Sequence, residues 1–134
     1  MSTPITTVMI IDDNAVDLYI ASRMVKTNLV STTVLEYSTA FEALEFLKQH
    51  QDDVKALPEI IFVDIYMPQM SGFEFMEGYD NLSPLLKKHS RVYILSSSID
   101  DGDIARARIN SNTCSFLVKP ITKNFLDSIG NGSL

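Results

Sequence analysis

The chain has 134 residues, of which 46% are hydrophobic and 21% charged, so it can fill one core and is too short for two ordinary domains. A formal net charge of −6 argues against a nucleic-acid surface, because affinity for phosphate backbones comes mainly from clustered Lys and Arg. No apolar run approaches the roughly 20 residues that span a bilayer, and the N-terminus carries no secretory signal pattern. We therefore expect one domain over residues 1–134, in the cytoplasm, that binds neither membrane nor nucleic acid.

Strand patterns alternate with helix patterns along the whole chain. Four short runs of branched or aromatic residues lack polar alternation, which is typical of strands buried on both faces of a parallel sheet, and residues 33–37 read as a further strand. In chain order the five strand patterns, or runs, cover residues 8–11, 33–37, 60–63, 92–95 and 116–118. Apolar residues at helical spacing follow each run, and the short connections favour a compact α/β unit.

Local signals predict where several helices begin or break. The first helix presents Leu18, Ser22, Val25 and Leu29 on one face. The segment from Thr39 to Glu42 has the spacing of a capping box. The third helix must be interrupted or kinked at Pro84, because proline removes a backbone hydrogen bond and the residue before it avoids helical torsions.

The lone cysteine, Cys114, lies at the start of the last apolar run. A free cysteine in that position is usually a small buried hydrophobe. We therefore expect Cys114 to be buried and give it no chemical role.

Strict alternation of five strands with helices, joined by right-handed crossovers, leaves few topologies. The favoured one is a doubly wound, five-stranded parallel sheet of order 2-1-3-4-5, a flavodoxin-like (βα)5 fold. Its strand order reverses between strands one and three, and ligands of such sheets bind beyond the carboxyl ends of the strands. The sequence therefore predicts a site at this edge.

Acidic residues follow the first and third runs at that edge: Asp12 and Asp13 after the first, and Asp64 after the third. Crowded carboxylates repel one another and raise each other's pKa unless a cation intervenes. Oxygen ligands without His or Cys suit Mg²⁺, with Mn²⁺ as the other candidate. With a metal bound, Asp64 can act as a nucleophile toward phosphorus.

Ser96 and Lys119 end the fourth and fifth runs. At the same edge, Lys119 would place a fixed positive charge on one phosphoryl oxygen and Ser96 would donate a hydrogen bond to another. Each residue alone is also explained as a helix cap or a turn residue. Their joint occurrence on consecutive βα units favours a phosphoryl-transfer site.

Several short motifs together resemble those of response regulator receiver domains of two-component signalling, especially the stand-alone chemotaxis-type receivers. The matching segments are Asp12-Asp13, Val63-Asp64 with Met67-Pro68 and Ser71-Gly72, Leu95-Ser96, Phe116 and Lys119-Pro120. The resemblance covers nearly the whole chain. It implies that Asp64 accepts a phosphoryl group from a sensor histidine kinase or a histidine phosphotransfer protein, and that the domain catalyses only its own phosphorylation and dephosphorylation.

The resemblance also assigns roles to single residues. The backbone carbonyl of Tyr66 would be the third protein ligand of the metal, beside Asp13 and Asp64, with Asp12 acting partly through water. Ser96 would be the switch hydroxyl, Phe116 the switch aromatic, and Pro120 would follow a cis peptide bond. The helix after the fourth strand, the fifth strand and the last helix would form the output surface for an unidentified protein target. About fourteen residues follow Pro120, so no effector domain is expected.

Departures from the family pattern leave alternatives open. Ser97 rivals Ser96 as the switch hydroxyl, because its spacing from Lys119 fits slightly better. Phe116 has no phenolic oxygen, so its alternative positions would differ by packing alone. Tyr66, two residues after the acceptor, is a candidate shield of the acyl phosphate against water.

Three other functions compete with phosphoryl acceptance. One is a receiver-like adaptor that binds partners without phosphorylation. Another is a phosphohydrolase with an aspartate nucleophile, which normally needs a second acid at the position of Tyr66. The third is a flavin carrier, which would have a phosphate-cradling loop in place of Asp12-Asp13-Asn14.

Overall fold

The computed structural model describes residues 5–29 and 32–130, in which five strands alternate with helices, two of them consecutive between the third and fourth strands. The elements, in chain order, are β1 (Thr7–Ile11), α1 (Ala15–Asn28), β2 (Thr33–Tyr37), α2 (Ala40–His50), β3 (Ile60–Asp64), α3 (Gly72–Asp80), α4 (Pro84–His89), β4 (Arg91–Ser96), α5 (Asp101–Ile109), β5 (Thr113–Val118) and α6 (Lys123–Gly130).

The strands form one parallel sheet of order β2-β1-β3-β4-β5, which confirms the predicted topology. Ile11 pairs with Val63, so β1 and β3 end at the same level. Asp64 pairs with Leu95, which places the end of β4 beside the end of β3. The register therefore gathers the residues that follow these strands at one edge of the sheet.

Alternate residues of the central strands enter two separate cores. Met9 and Ile11 pack with residues of α2, α3, α4 and α5 on one face. Val8 and Ile10 pack with residues of α1 and α6 on the other. Fully burying one such aliphatic side chain contributes about 1.5–3 kcal/mol, so burial on both faces fixes the strands that carry the site.

Side-chain caps begin the helices. Thr39 caps α2 by accepting from the Glu42 amide, and the complete capping box belongs to α3, where Ser71 and Glu74 bond reciprocally. Ser83 caps α4, with Pro84 as its first residue. The predicted break at Pro84 therefore divides the third helix into α3 and α4.

Two expectations about burial need correction. Cys114 is exposed, because β5 is an edge strand and its register with β4 shifts: Val92 pairs with Thr113 and Tyr93 with Ser115. Cys114 is thus the extra residue of an irregularity in the ladder. On α1, Ser22 and Val25 are buried as predicted, joined by Ala21, whereas Leu18 and Leu29 are half-buried. None of the helices within the described ranges has the length and apolar content to cross a bilayer.

Candidate functional site

Three carboxylates meet where β1 and β3 end. Asp12 and Asp64 are buried, with 3% and 7% of their surfaces exposed, while Asp13 is exposed. One carboxylate oxygen from each residue lies within 4.8 Å of the others. The Asp12 carboxylate also accepts a 2.9 Å hydrogen bond from the Asn14 amide, which fixes the loop leading into α1. The sheet register thus creates an acidic, oxygen-only cluster.

The Lys119 side chain enters this cluster from the end of β5. Its Nζ donates to Asp12 Oδ2 at 2.7 Å and to Asp17 Oδ2 at 3.0 Å, and it lies 3.4 Å from Asp64 Oδ1. Burial lowers the pKa of Lys119, but the hydrogen bonds to Asp12 and Asp17 and the Asp64 charge outweigh burial and raise it above the ordinary value. The lysine therefore stays charged at neutral pH.

The negative charge of Asp64 is only partly compensated by Lys119. Burial raises the pKa of its carboxyl to about 6; Lys119 opposes this rise, and the charges of Asp12 and Asp13 add to it. The compensation is incomplete because Lys119 Nζ lies nearer to the other two acids it contacts. The cluster needs more positive charge than one ammonium supplies.

The donor set fits a small divalent cation. Asp12, Asp13 and Asp64 each offer an oxygen at mutually close range, and Mg²⁺ prefers a few carboxylates and keeps several waters. Tyr66 lies two residues beyond Asp64 in the loop after β3, with its side chain 58% exposed. Its hydroxyl donates to Asp103 of α5. The role of its backbone carbonyl as a ligand stays a prediction.

Ser96 and Ser97 differ sharply in environment. Ser96 is fully buried at the end of β4, and its Oγ accepts a 3.2 Å hydrogen bond from the Ser98 amide. Ser97 is exposed and lines a cleft beside Lys119. The Ser96 backbone carbonyl accepts from the Lys119 amide at 2.8 Å, so the ends of β4 and β5 are fastened together.

Phe116 is half-buried in β5 and pairs with Ile94 of β4. It packs on the core face that also receives Ile94, and strand alternation places Ser96 on that face. A cleft of about 320 Å³ separates α5 from β5 beside the ring. The Lys119–Pro120 peptide bond is cis.

The loop after β3 packs against Asp64 by a close backbone approach. The Gly72 amide donates to the Ile65 carbonyl at 2.8 Å. A Cβ at Gly72 would lie only 2.7 Å from the Asp64 carbonyl oxygen, so the first residue of α3 has no room for a side chain. Gln69 adopts a positive φ of 71° within the same loop, a conformation uncommon for residues other than glycine. Motif spacing gave no hint of this packing.

Asp17 is a site residue that the sequence did not reveal. Helical spacing put it away from the core-facing side of α1, yet its carboxylate contacts Lys119. The available signal was its position: Asn14 caps α1 by accepting from the Asp17 amide, so Asp17 lies in the first helical turn, four residues after Asp13.

Known proteins similar to this chain carry the same domain. The family model described as the response regulator receiver domain matches residues 8–129. The two-component response regulator ORR1 of japonica rice is 27% identical over 131 residues, which cover 96% of this chain and 55% of that protein. The chain therefore spans about half the length of this plant relative. The sensor histidine kinase CheAY of Helicobacter pylori is 27% identical over 127 residues, covering 95% of this chain and 15% of that protein.

A solved structure described as a two-component response regulator from Cytophaga hutchinsonii matches the fold closely. Its TM-score is 0.86 at 25% identity, and the alignment covers 97% of both chains.

Proposed function

Since this chain belongs to the response regulator receiver family, we propose that it accepts a phosphoryl group on Asp64 and signals through protein contacts that depend on this modification. The observation that carries the proposal is the buried Asp64 carboxylate, crowded by Asp12 and Asp13 and only partly neutralised by Lys119. Receiver domains are generally signalling modules rather than enzymes, and any catalysis here acts on the protein's own phosphorylation state.

Asp64 would act in its ionised form. One carboxylate oxygen attacks phosphorus, forming an O–P bond while the bond from phosphorus to the donor's histidine nitrogen breaks and its electron pair stays on that nitrogen. Lys119 Nζ, 3.4 Å from Asp64 Oδ1, is close enough to form an ion pair with an oxygen of the incoming phosphoryl group. Asp12 and Asp17 hold this ammonium in position before the phosphoryl group arrives.

The metal site would consist of the carboxylates of Asp12, Asp13 and Asp64 with the backbone carbonyl of Tyr66. Bound Mg²⁺, or Mn²⁺, supplies the positive charge that offsets the repulsion between the carboxylates and the phosphoryl oxygens. Asp13 is the exposed carboxylate of the set, so the ion would approach from solvent past Asp13.

Ser96 and Phe116 would respond to the new group. The Ser96 hydroxyl uses its oxygen to accept from the Ser98 amide, so its proton remains available for a phosphoryl oxygen. A rotation of this hydroxyl toward the phosphate would open space on the face that Phe116 shares, and the cleft beside Phe116 allows the ring to move. Ser97, exposed at the same strand end, is the alternative hydroxyl.

A protein phosphodonor is supported by the surface next to the site. Val16, Tyr19 and Ile20 are exposed apolar residues in the first half of α1. Ile20 and Asp17 also line a cleft of about 310 Å³ that reaches Lys119. A sensor histidine kinase or histidine phosphotransfer protein that covered these residues would bring its phosphohistidine to Asp64. The downstream target would bind elsewhere, on the surface of α5, β5 and α6.

Intact-mass measurement after incubation with Mg²⁺ and acetyl phosphate tests the proposal. The wild type should gain one phosphoryl group and Asp64→Asn none. Ser96→Ala should slow the gain by about tenfold to a hundredfold, because a hydrogen bond to a charged group contributes about 1.5–3 kcal/mol, while Ser97→Ala should leave it unchanged. A wild type that gains no mass would favour a phosphorylation-independent adaptor.

A further inference from the structure

Helix α5 is lightly packed for an element beside the site. Of its nine residues only Ala107 is buried, and Ile109 at its end is 83% exposed. The cleft beside Phe116 leaves α5 partly separated from β5. Elements with few buried apolar contacts open at low free-energy cost. The side-chain contacts that tie α5 to the rest of the protein, here called tethers, therefore matter more than they would for a well-packed helix.

Three such tethers connect α5 and its end to the α3 side of the molecule. The Arg106 guanidinium lies over the Phe73 ring, 4.2 Å from its centre. Asn110, just after α5, donates to Asp80 at 2.8 Å. The third tether is the hydrogen bond from the Tyr66 hydroxyl to Asp103 Oδ2, and it alone starts from the segment that carries Asp64.

This third tether joins a closely packed loop to a lightly packed helix. Tyr66 is two residues from the buried Asp64, in a loop fastened by the contact of Gly72 with the Asp64 carbonyl. Asp103 lies in the first turn of α5, where its amide donates to Asp100 Oδ1. The Tyr66 hydroxyl is the donor of this bond and the Asp103 carboxylate is its acceptor.

Charge added at Asp64 would act against this bond. The first turn of α5 already carries Asp101 and Asp103, next to the Asp100 cap. A phosphoryl group on Asp64 replaces the single negative charge of the carboxylate by up to two, so the site gains up to one negative charge, and the added repulsion acts on Asp103, the acceptor of the hydrogen bond. The Tyr66 backbone must also follow any adjustment of Asp64, since only one residue separates them.

We propose that the Tyr66–Asp103 hydrogen bond holds α5 against the acceptor segment in the unphosphorylated protein, and that phosphorylation of Asp64 releases it. Asp103 is then a positioning residue that reports the state of the site to α5, by a route separate from Ser96 and Phe116. We call these two parts of the proposal the hold and the release. The release, which needs phosphorylation of Asp64, rests on the proposed function; the hold in the unphosphorylated protein does not.

Hydrogen exchange of the α5 amides, followed by mass spectrometry, tests the hold. Tyr66→Phe keeps the ring and removes the hydroxyl, and should speed exchange in α5 about fivefold, as expected for one lost surface hydrogen bond. Tyr93→Phe is the matched control, because the Tyr93 hydroxyl is buried with no hydrogen-bond partner among the described residues and its ring packs in the core formed with α1 and α6. It should leave α5 exchange unchanged.

A second pair of variants separates the tether from the charge of the helix terminus. Asp103→Ala should match Tyr66→Phe, and the double variant should exchange no faster than either single one, because both remove the same bond. Asp101→Ala removes a first-turn acid whose side chain bonds to none of the described residues and should have a smaller effect. Equal exchange in wild type and Tyr66→Phe, or additive effects of Tyr66→Phe and Asp103→Ala, would overturn the hold.

Beryllofluoride with Mg²⁺, as a phosphoryl mimic on Asp64, tests the release. Exchange in α5 should rise in the wild type and change little in Tyr66→Phe, where the bond is already absent. An equal rise in both proteins, or a fall in the wild type, would overturn the release. Intact mass with acetyl phosphate is measured in parallel: a wild type that is never phosphorylated refutes the proposed function and the release with it, while the hold is still decided by the unphosphorylated comparison.

Discussion

The region formed by β1 and β3, the firm half, is packed more tightly than the region formed by β5 and α5, the loose half. Every residue of β3 is buried, and all but the first of β1. Half of β5 is exposed, and α5 buries one residue. The acids of the site are carried by the firm half, where their positions are fixed before a ligand arrives. The loose half is the part that can change at low free-energy cost.

The largest expected contrast between the halves is in stability. Phe62→Ala should cost about 3–5 kcal/mol, because the ring is fully buried on β3 beside Tyr93 and Phe125 and its removal leaves a cavity. Ile109→Ala in α5 should change stability by less than about 0.5 kcal/mol. Urea unfolding measures both. Similar losses in the two variants would contradict the division into halves.

The second largest effect expected is a dependence of the free energy of unfolding on pH, caused by Asp64 in the firm half. The pKa of Asp64, about 6, lies above its ordinary value of 3.8, so the folded protein binds this proton more tightly than the unfolded chain does. Stability is therefore lost as pH rises from about 4 to 6, by about 3 kcal/mol in total. In the presence of EDTA, Asp64→Asn should gain up to about this amount at pH 7.5 and almost nothing at pH 4.

The control for that experiment is an acid in the loose half. Asp101→Asn should leave stability within about 0.5 kcal/mol at both pH values, because its side chain is exposed. Added Mg²⁺ should narrow the gap between wild type and Asp64→Asn at pH 7.5, since a cation stabilises the charged cluster. A gain in Asp64→Asn that is the same at both pH values would show that burial does not disfavour the Asp64 charge.

Alanine substitutions at two glycines, one in each half, compare how tightly the two halves are packed. Gly72→Ala should cost about 1–3 kcal/mol, because its Cβ would lie 2.7 Å from the Asp64 carbonyl oxygen and neither backbone can yield freely. Gly102→Ala in α5 should be close to neutral. Its Cβ would meet only the capping oxygen of Asp100, at 3.1 Å, so a shift of a few tenths of an ångström relieves the contact, and alanine favours the helix. Thermal unfolding of the two variants measures both effects. A Gly72→Ala variant as stable as the wild type would mean that the loop after β3 is not tightly held.

Sequence patterns were sufficient for the fold because they report burial and chain breaks directly. Unbroken apolar runs identified the strands, and Pro84 identified the division between α3 and α4. The strand order followed from handedness and the short connections, and it brought Asp12, Asp13 and Asp64 to one edge.

The remaining features depend on how elements meet in space, which no local pattern records. Asp17 reaches Lys119 because the first turn of α1 passes near the end of β5. Cys114 is exposed because its strand is at the sheet edge and its register shifts there. The contact between Tyr66 and Asp103 joins residues from a loop and a helix that share no motif. The roles of Ser96 and Phe116 stay predictions.

The most direct test of the central claim is to locate the phosphoryl group itself. Wild-type protein is treated with acetyl phosphate in Mg²⁺ or in EDTA, and the peptide that contains Asp64 is sequenced by tandem mass spectrometry. The account predicts one phosphoryl group on Asp64 in Mg²⁺ and essentially none in EDTA. A phosphoryl group on another residue, or equal modification without a divalent cation, would contradict it.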